Sequence, residues 1–357
     1  MKIYLVGGAV RDALLNEPVH EQDWVVVGAT PDMLLKQGYQ QVGRDFPVFL
    51  HPKTKEEYAL ARTERKSGAG YYGFACDANP NITLEEDLLR RDLTINAIAK
   101  DEAGNLIDPY HGVDDIKHKI LKHVSEAFME DPVRVLRLAR FAARFYALGF
   151  RVADETAVLV KQMLKAGELK HLVPERVWQE WDKSLVSSHP EIFMKSLQDL
   201  GIFGEIFPLL DTENHQAMLE KLVAVAARSD NALIRFSAFM SGIQDKNKIK
   251  KFCETLRVPN AYKDLAVLAV VFNQAAYHDA KQIVSALERV DAFRKPERFK
   301  DLLIVCEARS DMRKKWQNAR EACNMVDVSA LVAKGHQGEA MKKALYDSRV
   351  SAVQAIL

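Results

Sequence analysis

The chain has 357 residues, of which 48% are hydrophobic and 28% charged, with a formal net charge of +1 at pH 7. This composition excludes a fibrous or disordered protein and favours a globular one with more than one packed unit. The start "MKIYLVGGAVRD" lacks a signal-peptide core and no apolar run has membrane-spanning length, so we expect a cytoplasmic protein with no membrane partner. Four scattered cysteines without CxxC spacing predict neither a zinc site nor a disulfide framework.

Two kinds of periodicity divide the chain. Up to about residue 110, short β-rich runs alternate with Gly and Pro; they are Tyr4 to Val6, Trp24 to Val27, Val48 to Leu50 and Tyr58 to Ala61. From about residue 125, segments such as "VRVLRLARFAARFYALGF" and "PERVWQEWDKSLV" repeat with the 3.6-residue period of helices. The pattern predicts an α+β head followed by an all-α remainder, with a junction near "IDPYHGVDDI".

The first motif in chain order is "GGAVRD", with Gly7, Gly8, Arg11 and Asp12. It comes after a short apolar strand and opens a helical run. Backbone amides at a glycine turn and at a helix N-terminus, with an arginine one turn later, can bind a phosphate. A glycine turn that serves only packing is the alternative.

The second motif, "EQDWVVVG", places Glu21 and Asp23 at the start of a strand that is otherwise apolar. Residues two apart in a strand share a face at roughly 6.6 to 7 Å, so their carboxylates can converge on metal ions. Oxygen ligands of this kind favour Mg²⁺. Taken alone, two such acids more commonly mark a turn before the strand.

Two further segments lie before the junction. "RTERKSGAGYYGFACDANPN" lacks periodicity and predicts either a mobile basic and aromatic loop or a simple surface connection. "LRRDLTINAIA", residues 89 to 99, has the spacing of a helix with Leu93, Asn96 and Ala97 on one face. There Arg91 can bind a phosphate and Asp92 can accept a hydrogen bond from a sugar hydroxyl. A charge pair on a solvated helix is the alternative.

The segment "EDPVRVLRLARFAARF" is the most informative. Asp131 and Pro132 predict the start of a helix. On it, four arginines fall within an arc of roughly 120°, opposite an apolar face; they are Arg134, Arg137, Arg140 and Arg144. The helix itself offers few acids to balance them, so we expect an anion such as a triphosphate or a nucleic-acid backbone. Asp131 and Arg134 could instead hydrogen-bond base edges.

In combination, "GGAVRD", "EQDWVVVG", "RRDLTINA" and "EDPVRVLRLARF" resemble the motifs of bacterial class II CCA-adding enzymes, the tRNA nucleotidyltransferases. The resemblance continues through "GRDFPVFLHP", "IDPYHG" and "GELKHLVPERVWQE" and returns in "LRVPN" and "VDAFRKPER". It implies a polymerase-β-like head (1–115), a helical neck (116–165), a body (166–250) and a tRNA-binding tail (251–357). It also implies addition of C, C and A to tRNA from CTP and ATP.

The resemblance also implies the role of each site residue. Glu21 and Asp23 would be catalytic and hold Mg²⁺, and Asp92 would contact the ribose. Asp131 and Arg134 would select the base, and a loop near residues 64 to 80 would take part in switching between C and A. The residues implied to bind the incoming nucleotide are Gly8, Arg11, Arg91, Arg137 and Arg140.

Two departures from the family pattern and several alternatives remain open. The first acid of the strand is Glu21 where the family usually has Asp, and Glu57 is a candidate third acid. Met240 and Ser241 stand where relatives with a C-terminal phosphohydrolase carry a His-Asp pair, and His278 with Asp279 is isolated, so we expect no phosphohydrolase activity.

The alternatives are a poly(A) polymerase, an enzyme adding CC or A alone, and a non-catalytic RNA-binding relative. The tail is expected to bind the tRNA acceptor stem and elbow, and the protein to be a monomer, with an oligomer as the alternative.

Overall fold

The structure is a computed structural model that describes residues 1–42, 48–66, 74–210, 214–273, 279–306 and 310–357. The described chain divides into two compact units. The first comprises Met1–Ser184 with Ile192–Pro208, and the second comprises Leu185–Glu191 with Leu209–Leu357. The α+β character is confined to the N-terminal part, which confirms the predicted fold class; the division into head, neck, body and tail stays a prediction.

The described part of the first 152 residues contains a seven-stranded mixed β-sheet and two separate pairs of strands. The strands are β1 (Lys2–Val6), β2 (Asp23–Val27), β3 (Gln40–Val42), β4 (Val48–Leu50), β5 (Glu57–Leu60), β6 (Thr63–Lys66), β7 (Phe74–Asp77), β8 (Ala99–Lys100), β9 (Leu106–Ile107), β10 (Ile120–Leu121) and β11 (Arg151–Val152). Within the described residues, seven of them form one sheet in the order β3-β4-β5-β2-β1-β8-β9, and β6 pairs with β7. The four predicted β-rich runs are confirmed as β1, β2, β4 and β5.

Strand β2 lies inside the sheet and is covered on both faces. It pairs antiparallel with β1 and parallel with β5. Val25 packs into a core with Val6 on one face, whereas Val26 packs with Leu34 and Phe49 on the other. Burial on both faces explains why this strand is continuously apolar after its first residues.

The first four helices are short, and longer helices form most of the chain that follows them. They are α1 (Gly8–Leu14), α2 (Pro31–Lys36), α3 (Leu84–Leu89), α4 (Gly112–His118), α5 (Val133–Phe145), α6 (Asp154–Ala166), α7 (Pro174–Leu185), α8 (Glu191–Asp199), α9 (Phe203–Ile206), α10 (His215–Ala226), α11 (Ala232–Met240), α12 (Lys246–Thr255), α13 (Asn260–Asn273), α14 (Ala280–Arg289), α15 (Pro296–Val305), α16 (Ser310–Asn324), α17 (Val328–Ala333) and α18 (Gly338–Gln354). Helices α5 and α7 confirm the two segments with clear helical periodicity. In the part of the chain that the structure describes, no helix has the length and apolar character needed to cross a membrane.

The predicted helix over residues 89 to 99 is wrong. A capping box between Thr83 and Glu86 starts α3 at Leu84, and this helix ends at Leu89. Leu93 then adopts extended backbone and forms an isolated β-bridge with His123, and a single 3₁₀ turn comes next at Thr94–Asn96. Pairing with a distant segment therefore overrides the local helical spacing.

The second unit is helical in the described residues and has its own apolar core. Phe272, Phe299 and Trp316 form an aromatic cluster within it. Met240 and Ser241 are buried, and His278 lies outside the described residues. Among the residues that the structure describes, no group of three or more His, Cys, Asp or Glu side chains could hold a metal ion.

Candidate active site

A cavity of ≈ 560 Å³ in the first unit is lined by all ten residues to which the resemblance gave a role, whereas the candidate third acid Glu57 is not among its lining residues. Nine arginines and four acids line it, which gives the cavity a large excess of positive charge. The lining residues are Gly7, Gly8, Arg11, Glu21, Asp23, Arg62, Arg90, Arg91, Asp92, Asn96, Asp131, Arg134, Arg137, Arg140, Phe141, Arg144 and Arg176. Such a concentration of guanidinium groups suits a polyanion.

The two acids of the "EQDWVVVG" motif lie at one end of the sheet. Asp23 is the first residue of β2, whereas Glu21 precedes the strand, so the predicted strand position of Glu21 is wrong. Both residues are exposed. Partial burial of its carboxyl group raises the pKa of Asp23, the charge of Arg91 opposes that shift, and the nearby charge of Glu21 adds to it. The two carboxylates are thus close enough to interact.

Glu57 lies beside Asp23 on the neighbouring strand. The two residues are register partners in the parallel pair of β2 and β5, and directly paired residues point to the same face of a sheet. Mg²⁺ is usually held by one or two carboxylates together with substrate phosphates and water. The pair Asp23 and Glu21 therefore fits this ion together with substrate phosphates, whereas the addition of Glu57 does not make a three-acid group that could hold a metal ion in the described residues.

The glycine turn of "GGAVRD" lets an arginine approach the end of β1. Gly7 has φ +69°, and a Cβ at this position would lie 2.8 Å from Nη1 of Arg91. Its amide donates to the carbonyl of Ile98 at 3.2 Å. Because that amide is occupied, a phosphate here would rely on the start of α1 and on Arg91 rather than on the Gly7 N–H group.

Arg11 is buried between α1 and α5. Its Nε donates to Asp12 at 2.8 Å, and its Nη1 donates to the side-chain oxygen of Asn96. The guanidinium lies over the rings of Phe141 and Phe145, 5.2 and 5.1 Å from their centroids. Burial lowers the pKa of Arg11, and the charge of Asp12 opposes that shift. Arg11 therefore forms part of the wall of the cavity.

Asp92 has partners on both carboxylate oxygens. One oxygen accepts from the Leu93 amide and from the Asn96 side chain, each at 2.9 Å. The other accepts from Nε of Arg137 at 2.6 Å. Burial alone raises the pKa of Asp92, but the charge of Arg137 and these hydrogen bonds outweigh it and hold the pKa well below its usual range. Asp92 is thus a carboxylate at neutral pH.

All four arginines of α5 line the cavity, and each also contacts another part of the protein. Arg134 is 8% exposed and donates to the carbonyls of Ala127 and Arg90, at 3.0 and 2.6 Å. The other three pair with carboxylates of other elements; they are Arg137 with Asp92, Arg140 with Glu180 and Arg144 with Asp12, at 2.6, 2.6 and 3.0 Å. The fold thus supplies carboxylates that local sequence does not reveal, and the expectation that these arginines bind an external anion stays a prediction.

Asp131 contacts both the start of α5 and an arginine. One of its oxygens accepts from the amide of Val133, the first residue of α5, at 3.0 Å, so the helix begins just after the predicted Asp131–Pro132 start. Both oxygens accept from Arg176, at 3.2 and 3.1 Å, in a two-point contact. The carboxylate is thereby fixed at the cavity wall, close in sequence to Arg134 in the first turn of the helix.

Sequence reasoning missed the contribution of α7. Its Arg176 binds Asp131 and its Glu180 binds Arg140. The signal was present in "PERVWQE", because residues four apart on a helix share a face. The loop predicted near residues 64 to 80 contains the β6–β7 hairpin, and its residues 67–73 lie outside the described part.

Comparison with known proteins extends this picture. Residues 3–122 match a family model described as "Poly A polymerase head domain", and residues 149–213 match one described as "Probable RNA and SrmB- binding site of polymerase A". The chain is 48% identical to the "Multifunctional CCA protein" of Legionella pneumophila strain Paris, over 100% of this chain and 98% of that protein. This chain belongs to the family of CCA-adding enzymes. The protein of the same name from Aliivibrio salmonicida is 46% identical over 100% of this chain and 99% of its own length.

Solved structures of CCA-adding enzymes share the fold. The Bacillus stearothermophilus CCA-adding enzyme in complex with CTP is 25% identical, with a TM-score of 0.70 over 99% of this chain and 88% of that chain. A tRNA nucleotidyltransferase complexed with a primer tRNA and an incoming ATP analog is also 25% identical, with a TM-score of 0.64 over 88% of this chain and 93% of that one. The resemblance to tRNA nucleotidyltransferases inferred from sequence motifs is therefore confirmed.

Proposed function

We propose that this CCA-adding enzyme extends the 3′ end of tRNA with C, C and A from CTP and ATP, releasing pyrophosphate, in tRNA maturation and repair. The supporting observation is that one arginine-lined cavity joins the strand-end acids Glu21 and Asp23 to Asp131 and Arg134. Acids that can hold a metal, a cationic wall for the triphosphate and a donor-acceptor pair for the base are the parts that this reaction requires.

At the reacting end, Glu21 and Asp23 would hold Mg²⁺. When bound, the ion lowers the pKa of the attacking 3′-hydroxyl and neutralises charge on the departing pyrophosphate. Glu21 would approach the ion with a side chain one methylene longer than the usual aspartate. Glu57 stays a candidate third acid, since its strand pairing places it beside Asp23.

The arginine wall would bind the incoming nucleotide. Arg91, Arg137 and Arg140 would donate to the phosphates beside Gly8 and Arg11. Asp92 and Glu180 hold the guanidinium groups of Arg137 and Arg140 in place before substrate arrives. Preorganised donors avoid a reorganisation cost when charge develops. Asp92 would accept from the ribose while still paired with Arg137.

Base selection would depend on Asp131 and Arg134. The carboxylate of Asp131 accepts from the exocyclic amino group that cytosine and adenine share, and Arg134 donates to an adjacent ring nitrogen. Uracil and guanine present a carbonyl oxygen at that place and would face the carboxylate unfavourably. Arg176 fixes Asp131 for this task.

The remaining assignments are proposals of the same kind. The chain would divide functionally into head (1–115), neck (116–165), body (166–250) and tail (251–357), with the tail contacting the tRNA acceptor stem and elbow. We propose that the protein works as a monomer in the cytoplasm, where its substrates are made and used. The segment near residues 64 to 80 would take part in the change from C to A addition.

The test is incubation of the purified protein with Mg²⁺ and a tRNA transcript that lacks its last three nucleotides. CTP alone should extend the transcript by two nucleotides, and CTP with ATP should extend it by three. A long ladder with ATP alone would instead identify a poly(A) polymerase, which shares the head-domain family model. Extension that stops after CC, or that needs a CC-ended primer, would identify a partial enzyme, and no extension would indicate an RNA-binding relative.

A further inference from the structure

A carboxylate lies in the apolar stripe of α3, behind the cavity wall. Leu84, Asp87 and Leu88 are the buried residues of this helix, and Asp87 is 0% exposed. Helix spacing would place an apolar side chain at this position. A buried ionised carboxylate is costly unless it is paired and hydrogen-bonded. Because Asp87 is fully buried and does not line the cavity, it cannot contact a substrate there. Any role in the site must act through the residues that it contacts.

Asp87 holds both arginines of the "RRD" motif. Its Oδ1 accepts from Nη2 and Nε of Arg90, at 2.8 and 3.2 Å, and from the backbone amide of Arg62 at 3.2 Å. Its Oδ2 accepts from Nη2 of Arg91 at 3.3 Å. Burial alone raises the pKa of Asp87, and the charges of Arg90 and Arg91 more than reverse that shift. The carboxylate is therefore charged and saturated with donors.

Arg90 extends these contacts in two directions. Its Nε donates to the carbonyl of Arg62 at 3.1 Å, so Asp87 and Arg90 together hold both backbone groups of the residue before the β6–β7 hairpin. Its own carbonyl accepts from Nη2 of Arg134 at 2.6 Å. A continuous series of short contacts thus joins Asp87 to the arginine at the base-selecting end of the cavity.

We propose that Asp87 is a positioning residue that fixes the positions of two guanidinium groups facing the substrate. One belongs to Arg91, which would bind the triphosphate. The other belongs to Arg134, which would bind the base and which Asp87 positions through Arg90. This inference rests on the proposed function. The group at Arg91 depends on Asp87 directly, because the carboxylate holds its guanidinium against the glycine turn at Gly7. The group at Arg134 depends on it indirectly, through the backbone position of Arg90.

The primary test compares D87N with the native protein in steady-state addition of C to tRNA. This nearly isosteric change removes the charge and one acceptor while the size of the side chain is kept. We expect the KM for CTP to rise about tenfold with kcat within about threefold, because the loss falls on binding groups rather than on the metal ligands. Misincorporation of UTP should rise about tenfold, because Arg134 is displaced.

The variants R90K and D114N separate the two arms of the proposal from general destabilisation. R90K keeps a charge for Asp87 but loses the Nε contact with Arg62, so it should raise UTP misincorporation more than the KM for CTP. Asp114 is an exposed acid that pairs with Lys117 on α4, so D114N should change neither. The melting temperature of each variant, measured without nucleotide, shows whether the fold is retained.

Equilibrium binding of CTP without tRNA, measured by calorimetry, separates failure of this inference from failure of the proposed function. If the native protein binds CTP but extends no tRNA, a tenfold weaker binding by D87N would still support the positioning role. Unchanged KM, binding and selectivity in folded D87N would overturn it. If D87N does not fold, R90K decides in its place, and unchanged selectivity of R90K would overturn the link to Arg134.

Discussion

The contact between Arg137 and Asp92 compensates both charges without substrate and still leaves N–H groups of the arginine for a phosphate. The Nε–Oδ2 distance is 2.6 Å, and Asp92 is 6% exposed. The charge of Asp92 raises the pKa of Arg137, although burial opposes that shift. Each charge thereby stabilises the other without substrate, and the guanidinium keeps further N–H groups that a phosphate can use. The guanidinium groups that line the cavity can therefore remain close to one another without a bound anion.

Replacing Asp23 by Ala tests the catalytic acid. We expect kcat for C addition to fall by at least about 100-fold, because a charged group that orients the reaction is removed. The dissociation constant for tRNA should change by less than about twofold, because Asp23 is one of four acids in a cavity lined by nine arginines. The measurements are single-turnover extension and filter binding.

The exposed residue Glu102, which lies outside the cavity lining, offers a matched control for Asp23. The variant E102Q should extend tRNA at the native rate. Retained catalysis in D23A would contradict the assignment, as would a loss of tRNA binding that parallels the loss of activity.

Replacing Arg176 by Ala tests the support of Asp131. Removing a two-point ion pair should free the carboxylate to rotate, so discrimination of CTP and ATP against UTP should fall by about tenfold. Competition between CTP and UTP on a tRNA lacking CCA measures this ratio. The exposed Lys165 at the end of α6 provides the control variant K165A; equal discrimination in both variants would contradict the role of Arg176.

At the scale of elements, the start of α4 supports the turn that carries Asn96. Gly112 is buried, and a Cβ on it would overlap the carbonyl of Thr94. The amides of Gly112 and Val113 donate to the Asp108 side chain at 2.7 and 2.9 Å. The helix start is thus pressed against the 3₁₀ turn, and the glycine allows the close approach.

The variant G112A should therefore lower the free energy of unfolding by about 1–3 kcal/mol, the usual cost of overpacking. Urea denaturation followed by circular dichroism measures it. A Cβ on Gly204 in α9 would meet no atom within 4 Å apart from its chain neighbours and its own helix backbone. G204A should therefore leave stability unchanged or raise it by about 0.5–1 kcal/mol. A similar loss in both variants would show that the contact with Thr94 is not the cause.

At the scale of the whole molecule, the described chain contains two units with separate apolar cores. The site lies within the first unit, because every residue that lines its cavity belongs to that unit. A ligand that binds one unit stabilises that unit by mass action. The second unit gains this stabilisation only to the extent that the two unfold together.

Hydrogen exchange in increasing urea, resolved by peptide, should show this difference. CTP with Mg²⁺ at about 100 times its dissociation constant should raise the unfolding free energy of first-unit peptides by about 2.7 kcal/mol. Peptides of α13 to α16 should shift by less. Equal shifts in both units would show that they unfold as one cooperative block, and GTP serves as the control nucleotide.

Much of the fold and most of the site could be predicted from sequence because the relevant signals are local. β-rich runs predicted β1, β2, β4 and β5, and helical periodicity predicted α5 and α7. All ten predicted site residues line one cavity. The helix predicted over 89–99 failed because Leu93 pairs with His123, thirty positions away in the chain and unreadable from local spacing.

The sequence by itself determined most of the kinds of element, the family, and ten of the residues that line the cavity, since motif spacing and periodicity are properties of neighbouring residues. Only the tertiary structure decided how those charges are compensated. Asp12, Glu180 and Asp92 meet the arginines of α5 from other elements, and Arg176 meets Asp131. Such pairs join residues 40 or more positions apart, and their Coulomb energy depends on distance in space rather than along the chain.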